Sequence, residues 1–110
     1  MRFDAIVIGG GPAGSSTAIL LQRQGWRVAI FEKTVRPQHK VCGEFLSPAA
    51  WPLLHDLGIA EKIEQTGAPV WDLVLATPFQ EKRFPLDAPG LGISRKKLDE
   101  ILEKDIASQM

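Results

Sequence analysis

Phe3-Asp4-Ala5-Ile6-Val7-Ile8-Gly9-Gly10-Gly11-Pro12-Ala13-Gly14 is the stretch on which the fold turns, and Glu32 closes the unit it begins. Residues 3–8 are an apolar run with strand character, and the glycines follow at once. A helical pattern then continues to Gly25, a second apolar run spans residues 28–31, and Glu32 ends it. Each position has a physical job. Gly9 permits a sharp exit from the first strand, where a side chain would force an unfavourable backbone. Gly11 leaves the main chain bare. Gly14, which is expected to open the helix proper, and Ala18 are small where the helix must press against the strand. Pro12 suits a first helical turn, because its missing N–H would have no helical partner there. Gly25 stands where a helix stop is expected.

Strand, glycine turn, helix, strand and terminal acid in this order form the unit that holds the adenosine half of a dinucleotide. Gly11 gives a pyrophosphate room to lie against the backbone. The first turn, opened by Pro12, would offer it the free N–H groups of Ala13 and Gly14 and the positive end of the helix dipole. A carboxylate at Glu32 can accept bonds from both ribose hydroxyls and would repel a 2′-phosphate. A tight strand–helix turn that binds nothing would leave Glu32 unexplained.

The chain has 110 residues, 45% of them hydrophobic, with 13 acidic and 13 basic side chains for a formal net charge of zero. One domain is the expectation for this length. The charge balance argues against a nucleic-acid partner, which would need a basic excess. No apolar run is long enough for an integral membrane segment, and the N-terminus lacks the pattern of a secretory signal. Cys42 is the only cysteine, so no intramolecular disulfide can form and a cytoplasmic setting is expected. His39 and His55 share no metal-ligand spacing, so no metal site is expected. No Ser–His–Asp arrangement can be argued. Trp26, Trp51 and Trp71 read as packing residues, and Glu44 as a surface carboxylate.

Beyond Glu32 the pattern changes. Residues 33–46 read as a polar loop, longer than an ordinary connection. Its bases Lys33, Arg36 and Lys40 can neutralise phosphates, or simply be solvated. Ser47-Pro48 reads as a helix start, the helix running to about Leu57 with Gly58 as its stop and Pro52 tightening its first turn. A short helix is expected over residues 60–65. Residues 70–77 and 82–86 have strand character around Pro78-Phe79-Gln80, which suggests an antiparallel hairpin. Gly90-Leu91-Gly92-Ile93 then leads to Ser94 as a cap. Leu98, Ile101, Leu102 and Ile106 recur at helical spacing, so residues 95–108 are expected to be an amphipathic helix. The fold class is α/β: a Rossmann-like βαβ unit for FAD or NAD(P), with added helices and a hairpin. No third and fourth parallel strands are visible. Residues 1–110 are therefore expected to be one incomplete domain, the N-terminal portion of a longer enzyme.

The sequence resembles the FAD-dependent oxidoreductases of the p-hydroxybenzoate hydroxylase fold, and within them most of all the geranylgeranyl reductase branch. Three blocks carry the likeness. They are residues 4–14 with Glu32, then Lys40-Val41-Cys42-Gly43-Glu44-Phe45-Leu46-Ser47-Pro48, then Ile93-Ser94-Arg95-Lys96-Lys97-Leu98-Asp99. The resemblance implies bound FAD, with Gly9, Gly11, Pro12, Ala13 and Gly14 at the pyrophosphate and Glu32 at the adenine-side ribose. It implies that Cys42 and Gly43 pass near the flavin and that Arg95 faces the cofactor, where a planar fork of donors suits phosphate and ribityl oxygens. Cys42 can be a reactive thiol or, more simply, a packing residue. The later flavin motifs of the family have no counterpart here.

The resemblance further implies a small-molecule substrate and a flavin-borne reaction. In the favoured branch, hydride goes to a carbon–carbon double bond of an isoprenoid, with NAD(P)H or another donor reducing the flavin first and peripheral membrane contact as a corollary. The alternatives are an aromatic monooxygenase or halogenase, and a non-catalytic nucleotide-binding fragment. An NAD-dependent dehydrogenase fits the first block but not the long loop and hairpin.

Overall fold

Strand β1 (Ala5–Ile8) and strand β2 (Val28–Phe31) lie side by side in parallel, with Ala5 opposite Val28 and Ile8 opposite Phe31. Asp4 locks their start: its carboxylate accepts the Arg27 N–H at 2.8 Å, and its own N–H donates to the Arg27 carbonyl at 2.8 Å. Helix α1 (Pro12–Arg23) joins the two strands. It opens at Pro12 rather than at Gly14, with proline in its first turn as the sequence suggests, and Gly25 follows its end with φ +87°. The computed structural model describes residues 2–34 and 42–108, the side chains to Ile106. The expectations for Arg36, His39 and Lys40 lie outside the described residues.

The chain next forms a short strand β3 (Phe45–Leu46), inside what reads in the sequence as loop. Two residues carry no periodicity; their partner far along the chain makes them a strand. Ser47 then caps a 3-10 turn (Pro48–Ala50), its hydroxyl accepting the Ala49 N–H at 3.1 Å. The turn runs into helix α2 (Trp51–Leu57). The first turn of the expected helix is thus a tight 3-10 turn, the outcome expected of Pro52. Gly58 ends α2 in a left-handed conformation, and helix α3 (Ala60–Thr66) follows.

Strands β4 (Ala68–Ala76) and β5 (Glu81–Gly92) make the antiparallel hairpin, and β3 adds to the other edge of β5. The hairpin is longer than its apolar runs suggest, because β5 continues through Pro85, Pro89 and Gly90 to Gly92. The register explains how. Asp72 pairs with Pro85 and Val70 with Gly90, so residues 86–89 bulge opposite Trp71 alone. Pro89 lies inside that bulge and Pro85 at its edge, where strands tolerate a missing N–H. At the tip, the Thr77 hydroxyl accepts the Gln80 N–H at 3.0 Å and the Thr77 N–H donates to the Gln80 carbonyl at 2.7 Å. Helix α4 (Arg95–Ser108) completes the chain, capped by Ser94 through the Lys97 N–H at 3.2 Å.

The core lies among the helices and the inner end of β5. Ile19 of α1, Leu54 and Leu57 of α2, Ile59, Ala60 and Ile63 around α3, Leu91, Ile93, and Leu98 and Leu102 of α4 form one buried cluster. Burying each of the large side chains contributes about 1.5–3 kcal/mol. Arg23, at the end of α1, donates to the carbonyls of Asp56 and Leu57 and so ties α1 to the end of α2. Trp51 also joins the core, and its indole N–H donates to the Pro89 carbonyl at 3.0 Å. The expectation that Trp26 and Trp71 pack is corrected: they are 45% and 56% exposed. Trp26 follows the end of α1, and Trp71 sits at the bulge, where the hairpin leaves the helices.

Candidate functional site

The site is built at the carboxyl ends of β1 and β2, the place where open α/β sheets hold their ligands. An open cleft of about 450 Å³ lies there, lined by Ile8, Gly9, Phe31, Glu32 and Lys33. The chain can leave β1 sharply because Gly9 adopts φ +99°, a conformation that side chains disfavour. It can turn into α1 because Gly14 lacks a Cβ, which would stand 1.8 Å from the Gly9 carbonyl oxygen and 3.1 Å from Val7 Cγ1. The Ser15 hydroxyl, buried, donates to the Gly10 carbonyl at 3.0 Å and holds the turn from beneath.

Glu32 stands on the cleft wall, half-buried and firmly held. Oε1 accepts the Gly10 N–H at 3.0 Å. Oε2 accepts the Thr34 N–H at 2.9 Å and the Thr34 hydroxyl at 2.6 Å. The carboxylate therefore joins the glycine turn to the end of β2. Held so, it places negative charge beside the cleft, unfavourable to a 2′-phosphate and favourable to hydroxyl donors. Sequence reasoning missed Gly10 and Thr34 as its partners. A threonine two residues after an acid is a local signal for such a bond.

Pro12 and Gly14 are half-buried, and Ala13 is exposed on the first turn of α1. Gly11 is the N-cap, and no side chain caps the helix. The positive helix end thus faces outward next to bare backbone. Arg95 Nη2 lies against this glycine, 3.5 Å from where a Cβ would be. A guanidinium and a helix N-terminus converge here, a combination suited to phosphate oxygens.

Two further candidates lie apart from the cleft lining. Cys42 is exposed, and its sulfur accepts the Glu44 N–H at 3.2 Å. Gly43 is exposed beside it, with nothing within 4 Å of a Cβ placed there. Glu44 takes φ +57°, and its carbonyl accepts the Ile93 N–H at 3.0 Å. The pairing of Phe45 with Gly92 continues that contact. The segment holding Cys42 and Gly43 is therefore anchored just before Arg95, while Arg95 reaches Gly11. Three sequence blocks distant along the chain meet at one corner. Among the described residues there is no cluster able to hold a metal ion, and no helix is long and apolar enough to cross a membrane.

A family model described as an FAD binding domain matches residues 2–99. A 1H-pyrrole-2-carbonyl-(peptidyl-carrier protein) chlorinase of Pseudomonas fluorescens is 45% identical over 67 residues, 61% of this chain and 15% of that protein. The corresponding brominase of Pseudoalteromonas luteoviolacea is 30% identical over 105 residues, 93% of this chain and 26% of that protein. Among solved structures, the flavin-dependent brominase Bmp2 superposes with a TM-score of 0.80 at 26% identity, across 99% of this chain and 28% of that one. The chain thus spans about a quarter or less of the length of these curated relatives.

Proposed function

The chain belongs to the FAD-binding domain family, and on that footing we propose that it is the N-terminal, cofactor-holding portion of a longer flavin-dependent enzyme that halogenates or oxygenates a small molecule. The observation that carries this reading is the meeting of the α1 N-terminus, Glu32 and Arg95 around one glycine turn. The residues fit the group. Gly11, with the first-turn N–H groups of Ala13 and Gly14, would take the pyrophosphate, and Arg95 would add a fork of donors to it. Glu32 would accept from the adenine-side ribose, and Lys33 would sit at the cleft mouth. Cys42 and Gly43 would line the approach to the flavin. When bound, the flavin supplies the redox chemistry, and the protein supplies position and charge.

The chlorinase and brominase relatives support the halogenating branch, in which reduced flavin would react with oxygen. The reduction of an isoprenoid double bond, which the resemblance to geranylgeranyl reductases suggests, has no such support. NAD(P)H as the electron source belongs to the same proposal and is tested with it.

Titration of the protein expressed from its native gene is expected to show saturable uptake of FAD, and none of NAD in the same cleft. With a reductant, halide and an electron-rich aromatic substrate, product formation should require oxygen. Absence of FAD uptake would sink the reading at its root. Oxygen-independent saturation of an isoprenoid would move the enzyme to the reductase branch. Bound flavin that NAD(P)H and dithionite both leave oxidised would mark a passive module.

A further inference from the structure

Asp99 is the buried charge that the fold does not explain. It is 2% exposed, on the face of α4 that otherwise contributes Leu98 and Leu102 to the core. Desolvating a carboxylate costs several kcal/mol, and an apolar side chain of similar size is often as stable or more so. Its ion pair is with Arg95, one turn earlier on the same helix, Oδ1 to Nε at 3.6 Å. That distance is too long for a hydrogen bond, and both atoms are buried without a hydrogen-bond partner among the described residues. Arg95 in turn occupies the first position of α4, where a positive side chain opposes the helix dipole. Each group is poorly placed alone, and each offsets the other.

The geometry divides the guanidinium. Its Nε edge faces Asp99, inside the protein, and its Nη2 lies against Gly11, outside α1. A flexible side chain that must meet a ligand at a glycine turn loses affinity in proportion to its freedom. A carboxylate behind it removes that freedom without meeting the ligand.

We propose that Asp99 is a positioning residue: it holds the Arg95 guanidinium against the glycine turn, so that the outer nitrogens are ready for the cofactor's diphosphate. This rests on the FAD reading of the turn, and the experiment separates the two. FAD affinity is measured for the full-length gene product, for Asp99→Asn, for Arg95→Ala and for the double variant, with thermal midpoints alongside. Arg95→Ala should weaken FAD at least about tenfold. Asp99→Asn, which keeps shape and loses charge, should weaken it about tenfold in the parent and less than about twofold when Arg95 is already alanine. Arg95→Lys should not restore affinity, because a point charge cannot bridge Asp99 and the turn. Equal losses in both backgrounds, following the fall in thermal midpoint, would mean a packing role only and overturn the proposal. Unchanged or tighter binding in Asp99→Asn would overturn it as well. If Arg95→Ala itself binds FAD as the parent does, the reading of Arg95 at the cofactor fails first, and the proposal with it.

Discussion

Gly11 and Gly14 stand three positions apart and do different work, and substitution can tell them apart. A Cβ at Gly14 meets backbone at 1.8 Å, so nothing flexible can yield. Gly14→Ala is expected to cost about 3 kcal/mol or more and to lose the turn, seen as a collapsed denaturation midpoint. Gly11 has φ −75°, which any residue adopts, and its Cβ would meet only the tip of Arg95 at 3.5 Å. Gly11→Ala should change stability by about 0.5 kcal/mol or less while weakening FAD at least about tenfold by filling the diphosphate's space. Gly9 and Gly14 were readable from spacing alone, because the sharp exit from β1 and the close approach of α1 are set by backbone geometry within a few residues. Asp99 could be quoted from the sequence only as part of a motif. An acid at helical spacing from an arginine reads as a solvated pair until the packing of α4 shows it buried.

Helix α4 delivers both Arg95 and Asp99, so its start matters more than its length. Ser94 caps it through the Lys97 N–H, and its own carbonyl accepts the Leu98 N–H. Ser94→Ala should lower stability by about 1 kcal/mol, measured by urea denaturation. It should also weaken FAD modestly, because the first turn that carries Arg95 would fray. The caps Ser47 and Ser94, the stop at Gly58 and the apolar stripe of α4 were all legible as local signals. Strand β3 and the far half of β5 were not. Phe45 and Leu46 become a strand only by pairing with Gly92 and Leu91, and prolines mask β5 as it passes its bulge. Pairing of that kind is worth what its neighbours make it worth.

The molecule as a whole is elongated, 63 × 26 × 19 Å with a radius of gyration of 16.7 Å, against about 13 Å for a compact domain of this size. The hairpin beyond the bulge makes the difference, and it carries Trp71, Leu73, Leu75 and Phe84 exposed. The strand pair adds Ile6 at 61%, Ile8 at 79% and Phe31 at 59% exposure, although parallel sheets are normally covered on both faces. Apolar surface and unpaired strand edges of this extent drive association. The 110-residue chain expressed alone should therefore self-associate with rising concentration in sedimentation velocity. Ile8→Lys should reduce that association, and a monomer at every concentration would show that these surfaces are tolerated in water.

From the string of residues came the βαβ unit, its glycine turn, the acid that ends β2, the helix caps and the existence of a hairpin. Each is governed by torsion angles, missing side chains or periodicity over neighbouring positions. Folding added the meeting of Gly11, Arg95 and Asp99, the fixing of Glu32 by Gly10 and Thr34, and the joining of β3 to β5. Most of those contacts link positions far apart along the chain. They exist because a shared core of α1, α2, α3, α4 and β5 brings distant backbone together, and no local propensity encodes which distant partner will arrive.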